Sequence, residues 1–95
     1  MIRIAAKQLI RADECEKFEQ LAQKVAEVAV TEEGNCSYAL TRSIDDPQAY
    51  CVFEAWESMD HLMAHLQSSH MAKFRERITG LRKSSSLQVV SPVKR

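Results

Sequence analysis

Three histidines, one tryptophan and a carboxylate within an apolar run are the side chains of this sequence best suited to chemistry. His65 adjoins an apolar helical stripe that includes Leu62 and Leu66, and it could be a buried structural residue. Its reference pKa of about 6.5 also suits a base or hydrogen-bond partner near neutral pH. Trp56 is large enough to anchor a core or an interface. Both positions are therefore candidates for either packing or function.

His61 and His65 are four residues apart, a spacing at which two helical histidines can bind zinc. The acidic neighbour of an H-E-x-x-H motif is absent from the sequence, and we expect His61 to face solvent, so we predict no metal site. His70 follows Ser69, and we expect it to cap a helix that restarts there.

Glu54 is the one charged residue in the apolar segment Ala49–Trp56. A buried carboxylate must be paired or protonated. We expect Glu54 to form a salt bridge with a basic residue of a neighbouring strand. The candidates are Arg3, Lys7 and Arg42.

The hydrophobic periodicity predicts six elements that position these residues. Asp13 and Glu16 resemble a capping box at the start of the first helix, which stops by Gly34. Ser58 is a plausible N-cap for the second helix, and Ser68-Ser69 interrupts it. The expected elements are a strand at 2–10, a helix at 13–33, strands at 35–44 and 49–56, an interrupted helix at 58–81 and a strand at 87–93.

This order predicts an α+β, ferredoxin-like βαββαβ fold with an antiparallel sheet and helices on one face. The strand at 49–56 is apolar on both faces, so we expect the bare face to meet a second copy of the chain. The predicted assembly is a homodimer whose sheets pack face to face.

The length of 95 residues fits one domain, with a core at about 2–90 and a basic tail at 91–95. Thirteen basic and thirteen acidic residues give zero net charge, which disfavours nucleic-acid and anionic-membrane partners. Three cysteines without C-x-x-C spacing are typical of a cytoplasmic protein with reduced thiols, and we expect these thiols to be mostly buried.

Three segments carry a family resemblance: Glu33–Leu40 (EGNCSYAL), Phe53–Ser58 (FEAWES) and His65–Phe74 (HLQSSHMAKF). In order they resemble the E-G-x-x-x-Y-x-L, E-x-W-E-S and H-x-x-S-x-H-x-x-x-F motifs of the antibiotic biosynthesis monooxygenase (ABM) family. The resemblance implies a dimeric α+β barrel with a pocket between helices and sheet in each subunit. The family includes cofactor-independent oxygenases of quinols and aromatic polyketides, haem-degrading members and enzymes of a small phosphorylated sugar. Among these activities, we predict oxidation of quinols or other electron-rich aromatics by molecular oxygen, without a cofactor.

The resemblance further implies roles for particular residues. His65 would be the catalytic base, and Trp56, Tyr38, Phe74 and His70 would contact the substrate. Polyketide-oxidising relatives carry an asparagine where this chain has Val52, and haem-degrading relatives carry one on the first strand, where this chain has Ala5, Ala6 and Lys7. The alternatives are an isomerase-like enzyme on a small phosphorylated metabolite and a non-catalytic ligand-binding dimer.

Overall fold

The computed structural model describes residues 1–93, and its elements follow the predicted order. The strands are β1 (Ile2–Ile10), β2 (Asn35–Arg42), β3 (Ala49–Trp56) and β4 (Arg82–Val90), and the helices are α1 (Cys15–Ala29), α2 (Met59–Leu66) and α3 (Ser69–Ile78). Of the predicted basic tail, Lys94 and Arg95 lie outside the described residues. Within residues 1–93, no helix has both the length and the apolar character needed to cross a membrane.

All four strands form one antiparallel sheet in the order β2-β3-β1-β4. This is the topology of the split βαβ, ferredoxin-like fold, so the predicted fold class is confirmed. On β1, Ile4 lies opposite Glu54 of β3. On the other side of β1, Val89 of β4 lies opposite Ile4, and Ser85 lies opposite Gln8.

The two faces of β3 have different surroundings. Tyr50, Val52, Glu54 and Trp56 alternate along the strand and are all buried. Phe53 points to the opposite face, where it is 52% exposed. The helix-facing side of the sheet therefore forms the core, while the other side stays open in the single chain.

The start of α1 differs from the prediction. A 3-10 turn at Ala12–Glu14 precedes the helix, and no side chain caps it. The predicted capping box of Asp13 and Glu16 is wrong because Asp13 lies inside that turn and not at the N-cap position. The apolar stripe of α1 is buried as its spacing predicts, through Phe18, Ala22, Val25 and Ala29.

The turn between α1 and β2 passes close to α2. Gly34 has a φ of 82°, a conformation that glycine adopts without a steric penalty. A Cβ at this position would overlap the ring of His61. Gly34 therefore permits both the backbone conformation of this turn and its close packing against α2.

β2 departs from regular alternation at its start. Asn35 lies opposite Trp56 and Ser37 opposite the preceding residue of β3, so Cys36 is an extra residue in a bulge. At the other end β2 stops at Arg42, and Ile44 is fully exposed in the following loop. Strand alternation placed Ile44 on the apolar face, and that prediction is wrong.

The three cysteines are free thiols. Cys36 is exposed because of the bulge, and Cys15 and Cys51 are half-buried. None of the three thiols is fully buried, so the prediction of mostly buried thiols is wrong.

Two serines define the starts of the helices that follow β3. Ser58 Oγ accepts a hydrogen bond of 3.2 Å from the backbone N–H of His61, as predicted for an N-cap. Ser68 Oγ accepts one of 3.4 Å from Met71 N–H and starts α3. The predicted interruption is confirmed, but its cap is Ser68 and not His70.

Candidate functional site

A cavity of about 310 Å³ lies between the helix-facing side of the sheet and the helices. Its volume falls at the lower end of the range of about 300–1,000 Å³ that small-molecule sites occupy. Apolar side chains form most of its wall: Ala6, Val52 and Leu87 from the strands, and Phe18, Ala22, Leu66, Met71, Phe74 and Ile78 from the helices. The few polar side chains on this wall therefore determine how a bound molecule would be oriented.

The carboxylate of Glu54 is the acidic group of the cavity. The residue is 7% exposed, and Trp56 Nε1 donates a hydrogen bond of 3.0 Å to its Oε1. Burial raises the pKa of Glu54, although the Trp56 N–H and the nearby His65 act in the opposite direction. Glu54 therefore keeps its proton to a higher pH than an exposed glutamate.

The predicted salt bridge from Glu54 to a basic strand residue is wrong. Arg3 and Lys7 are an odd number of positions from the β1 residue opposite Glu54, so they face the other side of the sheet. Arg42 pairs with Glu19 of α1, with 3.1 Å between Nη1 and Oε2. The partners of Glu54 are instead the indole N–H and an imidazole.

His65 lies directly behind Glu54 and is 1% exposed. Its Nε2 is 3.9 Å from Glu54 Oε1, and its Nδ1 is 2.6 Å from Glu32 Oε1. The contact of Nδ1 with Glu32 orients the ring so that Nε2 faces Glu54. No hydrogen-bond partner of Nε2 is found within residues 1–93. The imidazole thus connects a carboxylate at the cavity with a second carboxylate behind it.

Glu32 also approaches His70, with 3.3 Å between Oε2 and Nε2. Ligand-type atoms of Glu32, His65 and His70 lie within 4.8 Å of one another. Two ligands of one tetrahedral zinc ion are about 3.4 Å apart, since each bond is about 2.1 Å long. The distance of 2.6 Å between Glu32 Oε1 and His65 Nδ1 is shorter than this ligand separation and has the length of a hydrogen bond. His61, at the i, i+4 position from His65, contacts Ser58 through Nδ1.

The predicted site residues lie at three depths. Tyr38 and Phe74 line the cavity. His65 and Trp56 lie one layer behind and reach the cavity through Glu54, and their rings are 4.8 Å apart between centroids. His70 lies farther away, with its ring 5.6 Å from that of His65.

Tyr38 lies opposite Glu54 on the adjacent strand β2. Burial raises the pKa of its phenol, and the charges of Glu54 and Glu32 raise it further. The hydroxyl group is therefore protonated at neutral pH and can donate a hydrogen bond. A donor from Tyr38 and an acceptor from Glu54 thus occupy the same part of the cavity wall.

Glu32 was not assigned to the site from sequence, and Glu54 was assigned the wrong partners. Glu54 is recognisable as the lone charge of an apolar strand, but strand alternation does not identify groups that reach it from a helix. Glu32 lies in the turn after α1, where an acidic residue is ordinary. Gly34 marks that turn but does not indicate that Glu32 points towards α2.

The model of the antibiotic biosynthesis monooxygenase family matches residues 1–77, which include Glu32, Glu54 and His65. The probable quinol monooxygenase YgiN of Escherichia coli (strain K12) is 27% identical over 77 residues, covering 73% of this chain and 74% of the relative.

Solved structures agree in fold. Rv0793 from Mycobacterium tuberculosis superposes with a TM-score of 0.91 at 23% identity, covering 99% of this chain and 96% of that chain. PA3566 from Pseudomonas aeruginosa gives a TM-score of 0.91 at 16% identity, with coverage of 98% and 94%. Since the family model matches most of the chain and the fold agrees, this chain belongs to the antibiotic biosynthesis monooxygenase family.

Proposed function

We propose that the chain is a cofactor-independent monooxygenase that oxidises quinol-like aromatic molecules with molecular oxygen. Membership of the family supports an oxygenase, and the relative YgiN is described as a probable quinol monooxygenase. The observation that carries the proposal is the buried carboxylate of Glu54 on the wall of an apolar cavity, with His65 Nε2 behind it.

The chemistry requires little from the protein. Triplet oxygen reacts slowly with closed-shell organic molecules, but a deprotonated hydroquinone can transfer one electron to it directly. The protein must then supply a base, an apolar cavity that holds the ring and exclusion of water from the radical pair. The cavity described above offers an apolar wall and a carboxylate. The proposed reaction needs no further redox group, because the substrate itself reduces oxygen.

Glu54 is the residue that accepts the proton of the substrate hydroxyl group in this proposal. His65 takes the role of a proton acceptor behind Glu54, so the predicted base acts through the carboxylate and not on the substrate itself. Tyr38 donates a hydrogen bond to the ring oxygen, and Phe74 packs against the ring. Trp56 holds the Glu54 carboxylate in position through its N–H, and the ring of His70 lies beside Glu32.

Oxygen uptake tests the proposal. Purified protein is supplied with reduced naphthoquinones and hydroquinones, and autoxidation is subtracted. We expect uptake above background, and Glu54→Gln should lower kcat by about 100-fold or more, which is the usual contribution of a general base. The control is Glu57→Gln, an exposed residue three positions away. An unchanged rate in Glu54→Gln would remove Glu54 from the mechanism, and absence of uptake across the panel would contradict the oxygenase function.

We also propose that two copies associate through the open face of the sheet. Phe53 is 52% exposed on this face, beside a concave region of about 530 Å³ that Lys7, Thr41 and Cys51 help to line. An apolar centre with a polar rim is typical of protein interfaces. Zero net charge gives little repulsion between identical chains, so a second copy is the occupant we propose.

A further inference from the structure

The wall of the cavity carries two arginines as well as one glutamate. Arg75 of α3 and Arg82 at the start of β4 both line the cavity, together with Gln8, Ser85 and Ser86. Among residues 1–93, neither guanidinium group has a carboxylate within 4.0 Å, the distance of the ion pairs observed elsewhere in the chain. Arg75 Nη1 donates to the carbonyl of Leu66 at 3.0 Å, and the remaining donors of this guanidinium are available to a ligand.

The strand register separates Glu54 from the part of the cavity that holds Gln8, Ser85 and Arg82, which is its basic end. One row of neighbouring residues across the sheet contains Glu54, Ile4 and Val89, and another row contains Gln8 and Ser85. Those rows are four residues apart, which corresponds to about 13 Å along the strands. A group bound at the basic end is therefore separated from the Glu54 carboxylate by the apolar middle of the cavity.

A buried polar atom at the basic end lacks a partner. Oε1 of Gln8 is inaccessible to solvent and accepts no hydrogen bond within the described part of the chain. Buried amide oxygens normally accept a hydrogen bond, so this oxygen is available to a donor group of a bound molecule. Gln8 Oε1 can accept a hydrogen bond from a hydroxyl or N–H group of a ligand, whereas the donors available to an anionic group are those of Arg82 and Arg75.

We propose that the substrate is an aromatic acid: a hydroxylated ring with a carboxylate substituent that Arg75 and Arg82 bind. This inference rests on the proposed function. The planar fork of a guanidinium group matches a carboxylate in two parallel hydrogen bonds. The Glu54 carboxylate repels a second anion, so the acid group selects the basic end and the ring hydroxyl is directed towards Glu54 and Tyr38.

Calorimetric binding in the absence of oxygen, where the proposed reaction cannot proceed, tests this inference. The probes are hydroxynaphthoate, the corresponding naphthol without the carboxylate, and naphthyl phosphate. We expect wild type to bind hydroxynaphthoate more tightly than naphthol. We also expect Arg82→Gln and Arg75→Gln each to weaken hydroxynaphthoate binding by about ten-fold or more, with naphthol binding unchanged. Arg77→Gln, an exposed position of the same helix that does not line the cavity, is the matched control.

Several outcomes would overturn the inference. Equal affinity for naphthol and hydroxynaphthoate would do so, as would equal losses in the Arg77→Gln control. If naphthyl phosphate binds more tightly than hydroxynaphthoate, and if this binding depends on the arginines, the acid group of the substrate is a phosphate and not a carboxylate. Arg75 donates a hydrogen bond to α2, so Arg75→Gln could weaken binding by disturbing the fold. Thermal unfolding of each variant detects such a defect. If Arg75→Gln has one, Arg82→Gln tests the inference independently. If hydroxynaphthoate binds in an arginine-dependent way but no oxygen uptake is measured, the proposed function is contradicted and the binding of an aromatic acid is not.

Discussion

Glu32 Oε1 and His65 Nδ1 are 2.6 Å apart, so a turn residue outside the helices fixes the orientation of a fully buried ring on α2. This contact determines which nitrogen of the imidazole faces Glu54. A carboxylate that orients a histidine in this way acts on the site without touching the cavity, since Glu32 is not among the residues of its wall.

Replacing Glu32 should therefore affect both stability and turnover. We expect Glu32→Ala to lower the free energy of unfolding by about 1.5–3 kcal/mol, because a charge-assisted hydrogen bond to a buried ring is lost. Glu32→Gln keeps an acceptor and should lose less. Urea unfolding measures these changes, with the exposed neighbour Glu33→Ala as the control. A double-mutant cycle with His65→Gln should give a coupling energy of at least about 0.5 kcal/mol, and strict additivity would contradict the contact.

The raised pKa of Glu54 predicts that the difference in stability between wild type and Glu54→Gln depends on pH. In the unfolded chain this carboxyl titrates near the reference value of about 4.3. The folded state binds its proton more tightly, so wild type loses stability as the pH rises from that value through the folded pKa. Glu54→Gln does not undergo this loss. Its stability relative to wild type should therefore increase with pH, as measured by urea unfolding from pH 4 to pH 8. A difference that stays constant, or that shrinks with pH, would contradict the burial of a titrating carboxylate.

Gly34→Ala should destabilise the turn that carries Glu32. The substitution imposes a positive φ on alanine, at a cost of about 1–3 kcal/mol, and its Cβ would displace the His61 ring. Gly80→Ala is a matched control, because a Cβ at Gly80 meets no atom within 4 Å. Thermal unfolding should therefore show a lower Tm for Gly34→Ala and almost no change for Gly80→Ala. Equal Tm values for the two variants would show that the turn adapts to a side chain.

The proposed dimer predicts that a charge on the open face of the sheet separates the subunits. We expect wild type to sediment as a dimer in analytical ultracentrifugation and Phe53→Glu to sediment as a monomer, since a buried unpaired carboxylate disfavours association. Ile44→Glu makes the same chemical change in an exposed loop and should leave the dimer intact. A monomeric wild type at micromolar concentration would contradict the proposed interface.

Much of the fold could be predicted from sequence because hydrophobic periodicity reports which face of each element is buried. The alternation of β3 and the stripe of α1 are confirmed in this way. The errors occur where one residue shifts the pattern. The bulge at Cys36 exposes a thiol, and the end of β2 at Arg42 leaves Ile44 in solvent.

The site was harder to predict because its central contacts join elements that are distant in sequence. Glu54 could be recognised as unusual, but its partners reach it from its own strand and from α2. Glu32 reaches His65 across 33 positions of the chain, and no local pattern encodes that contact. Tyr38 and Phe74 line the cavity, whereas Trp56 and His65 do not and instead contact Glu54, which does.

The hydrogen bond from Trp56 to Glu54 also provides an optical reporter. Trp56 is the only tryptophan of the sequence, so the indole emission of the protein comes from a single buried ring. Its N–H bonds to the one carboxyl of the cavity, and the His65 ring lies beside it. Any change in the charge of Glu54 therefore alters the electric field at the fluorophore. The unlabelled protein thus carries an intrinsic fluorescent indicator of the protonation state of its own candidate site.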